Sequence, residues 1–156
     1  MKTGIDDWNA HWDQYAGSAS RNPAQLMRFD LVKRLLLRNT RGRTATRLFD
    51  IGCGQGDFLR IVHSLLPSAE LLGAEMSQSG VAISHEKIPN AKFIIADMFN
   101  PPAELEAYRG WATDAVCSEV LEHVDDPVAF LKAARPYLAD GCKLVVTVPG
   151  GPMSAY

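Results

Sequence analysis

Cysteine is scarce in this chain of 156 residues: there are three, Cys53, Cys117 and Cys142, and no two stand in a C-x-x-C spacing. That argues against a zinc ribbon, a dithiol redox motif or a disulfide-stapled scaffold. All three lie in or beside apolar runs that read as buried strands. They are expected to be structural thiols in a reducing, cytoplasmic setting. No apolar run approaches the roughly 20 residues that cross a bilayer. The N-terminus carries charge where a signal peptide would be apolar. Charge of one sign is lacking too, since 16 Lys and Arg oppose 18 Asp and Glu. The net charge of −2 gives no global attraction to nucleic acid or to an anionic membrane. Repeats and low-complexity tracts are absent. What remains is 47% apolar and 22% charged, the composition of an ordinary globular protein with one core.

The most informative stretch is Leu48-Phe49-Asp50-Ile51-Gly52-Cys53-Gly54-Gln55-Gly56-Asp57-Phe58. A short apolar run reads as a buried strand, three alternate glycines break it, and an apolar-periodic helix follows to Leu66. Without a Cβ, the loop backbone can approach a ligand closely, and the helix start presents free N–H groups there. The dinucleotide fingerprint G-x-G-x-x-G would need a third glycine where Asp57 stands. A carboxylate there competes with a pyrophosphate for the same positive helix end. The loop suits a nucleoside without phosphates better than NAD or FAD, which disfavours a nucleotide-linked oxidoreductase.

Around this stretch the pattern alternates. Ile5, Trp8, Trp12 and Tyr15 share one helical face, broken at Gly17-Ser18-Ala19-Ser20. Asn22 and Pro23 read as N-cap and first residue of a second helix, with Leu26, Phe29, Val32 and Leu36 inward. Strands are expected at Glu70–Ala74, Lys92–Ala96, Asp114–Ser118 and Lys143–Val148. The intervening helices are capped by Ser77 and by Asp126-Pro127, the last with Phe130, Leu131, Ala134 and Leu138 inward. Asp140-Gly141 reads as a turn into the last strand. Strands alternating with helices predict a doubly wound, Rossmann-like α/β parallel sheet with its ligand at the strand carboxyl ends. Seven of the 16 basic residues lie between Arg28 and Arg47. No aromatic residue alternates with these charges, so they read as a solvated helix face and loop, and no nucleic-acid partner is expected.

Asp50-Ile51-Gly52-Cys53-Gly54-Gln55-Gly56 resembles the first motif of the class I S-adenosylmethionine-dependent methyltransferases, an acidic residue followed by G-x-G-x-G. The resemblance runs from Leu48 to Val148 and implies strand order 3-2-1-4-5. It implies S-adenosylmethionine as cofactor, held by Asp50, Gly52, Cys53, Gly54, Gly56, Glu75, Met76, Asp97, Met98, Ser118 and Glu119. Glu75, about twenty residues beyond the glycines, would accept from the ribose hydroxyls. Met76 would pack on adenine, Asp97 would accept from its amino group, and the Met98 N–H would face a ring nitrogen. Asp50 and the backbones of Gly52 and Ser118 would hold the methionine end. Residues 1–40 would form a helical lid or cap over a core at 41–156, with Trp12 and Tyr15 either covering the cofactor or docking the helix.

Glu119-Val120-Leu121-Glu122-His123-Val124 is similar to the quinone-biosynthesis O-methyltransferases of that family. On a helix Glu119, Glu122 and His123 would share a face. Three readings stay open there: His123 as general base, the three as ligands of a divalent metal, or His123 as a packing residue. The implied function is methyl transfer to a small-molecule acceptor, at oxygen or nitrogen. A non-catalytic module that binds the same cofactor is the alternative. The family sheet ends in an antiparallel pair beside strand five, and eight residues follow Val148. The chain is therefore expected to be C-terminally truncated, impaired in turnover, and prone to self-association through the open edge of strand five.

Overall fold

The computed structural model describes residues 7–19, 22–38 and 46–150, without the side chains of 15, 16, 18 and 19. Five parallel strands form one sheet: β1 (Arg47–Ile51), β2 (Glu70–Glu75), β3 (Lys92–Ile95), β4 (Ala112–Ser118) and β5 (Leu138–Thr147). Their order is β3-β2-β1-β4-β5, as expected for a doubly wound sheet that reverses direction at β1. The helices are α1 (Trp8–Ala19), α2 (Pro23–Leu37), α3 (Asp57–Leu65), α4 (Gln78–Lys87) and α5 (Pro127–Ala134). Short 3₁₀ turns cover Ala103–Tyr108, Leu121–His123 and Arg135–Tyr137.

Two apolar layers cover the sheet. One packs Val32 and Leu36 of α2 and Phe58, Leu59 and Val62 of α3 on Leu48, Leu71 and Val116. The other packs Phe130, Ala134, Tyr137 and Leu105 on Phe49, Ile51, Leu72 and Ala115. Central strands buried on both faces read as near-continuous apolar runs, which is why they were legible. Capping follows the sequence. Asn22 Oδ1 accepts from the Ala24 N–H at 3.0 Å and Pro23 opens α2, while Ser77 Oγ accepts from the Gly80 N–H at 3.0 Å.

Four expectations are corrected. Helix α1 continues through Gly17 and Ser18 to Ala19, and Ile5 and the Tyr15 side chain fall outside the described residues. Leu26 does not face the core but is half exposed. Helix α5 stops at Ala134, and the buried Leu138 is the first residue of β5. Asp140 and Gly141 sit inside β5, in an irregular register between Ala112↔Leu138 and Asp114↔Lys143. Lys143 then reaches the end of α2, donating to the carbonyls of Leu36 at 2.8 Å and Arg38 at 2.6 Å. A cation at a helix carboxyl end satisfies orphan carbonyls and complements the dipole.

Candidate cofactor site

A cavity of about 560 Å³ opens at the carboxyl ends of β1, β2 and β4. Its floor is the glycine loop after β1. Gly52 and Gly54 have φ of +76° and +54°, a region that L side chains rarely adopt. A Cβ on Gly54 would stand 2.5 Å from Trp12 Cζ2, and one on Gly52 would collide with Val120. The absent side chains therefore make room for groups arriving from α1 and from the segment after β4.

Three acids at the site are buried: Asp50, Asp57 and Glu75. Asp50 at the end of β1 lines the cavity and is buried. Burial first, and then the charge of Glu75, push its carboxyl up to about 7. Glu75 at the end of β2 clasps the loop. Its Oε2 accepts from the Gly54 N–H at 2.9 Å and its Oε1 from the Ser77 N–H at 2.9 Å. Burial raises this carboxyl as well, and the N–H groups of Ser77, Gly54 and Met76 pull it the other way. Asp57 is neutralised by Lys87 at 2.6 Å and held by Gln55 Nε2 at 2.8 Å. The Cys53 thiol is raised by burial and by Asp50, and that of Cys117 is pushed up to about 12. Both are inert structural thiols, as expected.

The acid pair gives a pH prediction. Native Asp50 keeps its proton up to about 7, whereas the unfolded chain loses it near 3.8. Folded protein thus binds the extra proton between these values, and stability falls as pH rises across that window. Asp50→Asn is expected to stabilise the ligand-free protein relative to the parent at pH 8 and to give little at pH 4. Denaturant unfolding at the two pH values reads this, and a gain that does not change with pH would refute it.

Of the remaining expected residues, Met76, Met98, Ser118 and Glu119 line the cavity along with Cys53. Gly56 and Asp97 do not. Gly56 lies under α4, where a Cβ would meet Ser84 Oγ at 2.8 Å. Asp97 closes a turn, accepting from the Phe99 N–H and the Asn100 amide, both at 2.9 Å. Glu119, Glu122 and His123 do not share a helical face, which corrects the helical reading. Only a single 3₁₀ turn forms at Leu121–His123, and Glu119 precedes it in the left-handed region at φ 55°. That strain is held by the Glu119 N–H on the Thr147 carbonyl at 3.0 Å and by Thr147 Oγ1 on Glu119 Oε1 at 3.1 Å. Among the described residues no group of three His, Cys, Asp or Glu side chains is placed to hold a metal.

The wall over the loop was only partly foreseen. Trp8, His11 and Trp12 of α1 and Gln25, Arg28 and Phe29 of α2 all line the cavity. Asn9 fastens α1 to the start of α4, its Oδ1 accepting from Ser77 Oγ at 2.9 Å and the Ser79 N–H at 3.2 Å. Arg28 pairs with Glu119 at 3.2 Å, and Trp8 stands edge-on to His123 with ring centroids 4.9 Å apart. The aromatic spacing of α1 was the available signal; Arg28 was hidden in a basic run. In that run Lys33 and Arg34 pair with Asp30 on their own helix, while Arg41 and Arg43 lie outside the described residues.

A glycine floor, a clasping acid at the end of β2 and an aromatic roof define a nucleoside-binding α/β protein of the doubly wound class. The chain belongs to the methyltransferase domain family, whose model matches residues 19–155. It is 31% identical over 145 residues to a trans-aconitate 2-methyltransferase of Variovorax paradoxus, covering 92% of this chain and 50% of that one. A ubiquinone biosynthesis O-methyltransferase of Cereibacter sphaeroides is 36% identical over 96 residues, 61% of this chain and 38% of that one. This chain therefore spans half or less of the length of these curated relatives. The crystal structure of the plantazolicin methyltransferase BpumL, in complex with a pentazolic desmethylPZN analogue and SAH, superposes with a TM-score of 0.55 at 21% identity. It covers 80% of this chain and 52% of that one, and shares the fold.

Proposed function

We propose that this chain is the cofactor-binding part of an S-adenosylmethionine-dependent methyltransferase acting on a small-molecule hydroxyl or amine. The observation that carries this is the buried Glu75 carboxylate, held by the glycine-loop backbone where it lines the cavity. The relatives' names support methyl transfer, and the SAH named in the superposed crystal structure supports the cofactor. When bound, S-adenosylmethionine supplies a methyl group on a positive sulfur. Glu75 would then accept from the ribose hydroxyls, Met76 would pack on the adenine with the Met98 N–H toward a ring nitrogen, and Asp50 would face the cationic methionine end.

His123 takes the proton of the acceptor group, with Trp8 packed against its ring. Positioning supplies most of the rest, because in-line displacement from a sulfonium needs alignment more than activation. Helices α1 and α2 act as the lid, and a cytoplasmic location fits the free thiols. No described helix is long and apolar enough to cross a membrane.

Titration calorimetry with S-adenosylhomocysteine, NAD and NADP tests the reading. Binding of the first alone is expected, and binding of either dinucleotide in preference would overturn it. Self-association is proposed as well. Among the described residues the outer edge of β5 has no partner strand, and Val146 and Val148 are exposed beside it. Light scattering over a concentration series should show a mass that rises with concentration. A constant monomer mass would reject edge pairing.

A further inference from the structure

The indole N–H of Trp12 is buried and has no hydrogen-bond partner. Buried donors are rarely left unpaired, because losing water without replacement is costly. The position of this donor is defined by two glycines. Trp12 Cζ2 lies 2.5 Å from where a Gly54 Cβ would be, and Trp12 Cδ1 lies 3.1 Å from where a Gly80 Cβ would be. Nε1 sits on the ring edge between those two atoms, so the N–H is held between the loop and the start of α4. Glu75 Cγ lies 3.2 Å from the same Gly80 position. An unpaired donor and an acceptor-only carboxylate thus meet at one corner of the cavity.

We propose that Trp12 completes the ribose site by donating its N–H to a ribose hydroxyl that itself donates to Glu75. The chemistry is complementary: a hydroxyl donates once and accepts twice, a carboxylate only accepts, and an indole only donates. Trp12 is then more than a docking residue of α1. It is a ligand contact that couples closure of the helix to the sugar, and the lone donor explains why a tryptophan rather than a phenylalanine fills the corner. The inference rests on the nucleoside reading of the cavity given above.

The test compares Trp12→Phe with the parent, using S-adenosylhomocysteine and its 2′,3′-dideoxy analogue in titration calorimetry. Phenylalanine keeps the aromatic packing and removes the donor. Trp12→Phe is expected to weaken S-adenosylhomocysteine binding about fivefold to tenfold and to change binding of the dideoxy analogue less than about twofold. Equal loss for both ligands would mean that Trp12 acts only by packing, and would overturn the proposal. So would unchanged binding of S-adenosylhomocysteine by the variant. Failure of the parent itself to bind S-adenosylhomocysteine would instead remove the nucleoside reading, and this inference with it.

Discussion

Glu75→Ala is expected to weaken S-adenosylhomocysteine binding by about 2–4 kcal/mol, a loss of roughly 30-fold to 1,000-fold. Two effects add. The variant loses the charge-assisted bonds to the ribose, and it releases the Gly54 and Ser77 N–H groups that the carboxylate now holds at 2.9 Å. The second effect changes the expectation for Glu75→Gln. As a ribose acceptor alone, a glutamine would be a mild replacement. Here both oxygens accept from backbone, so one N–H would face the NH₂ of the amide, donor against donor. Glu75→Gln should therefore lose nearly as much as Glu75→Ala. Calorimetry on the two variants separates the views. Binding of Glu75→Ala within twofold of the parent would remove Glu75 from the site.

Gly54→Val is the second large effect. At φ +54° a β-branched residue is strained by about 1–3 kcal/mol, and its Cβ would stand 2.5 Å from Cζ2 and 2.8 Å from Cη2 of Trp12. Trp12 must leave, α1 loosens over α4, and the new methyl groups project into the cavity. Cofactor binding is expected to fall below detection. The sheet should survive, because Gly54 lies outside the strands and the two apolar layers do not include it. Circular dichroism with calorimetry checks both halves. Normal binding by a folded Gly54→Val protein would mean that the loop backbone does not face the ligand.

The sequence determined the sheet and the ligand class. The strands are apolar enough to be buried on both faces, and that signal needs no tertiary context. Asp50, the alternate glycines and Glu75 fall at strand ends by counting alone, and Asp57 argues against a pyrophosphate locally, through one helix end. Boundaries were poorer where a residue's state depends on a distant partner. Leu138 continues the period of α5 but is taken by its pairing with Ala112, and Gly141 reads as a turn but sits within β5. The segment Glu119–His123 reads as helix by spacing. Thr147, a neighbour in space and not in sequence, holds Glu119 in a left-handed conformation and leaves room for a single 3₁₀ turn. Only the tertiary structure brought α1 and α2 over the glycine loop, paired Arg28 with Glu119, and left the Trp12 N–H without a partner beside Glu75. The physical reason is the same throughout. Periodicity and turn chemistry act between near neighbours, whereas a site is made by side chains whose separation along the chain says nothing of their separation in space.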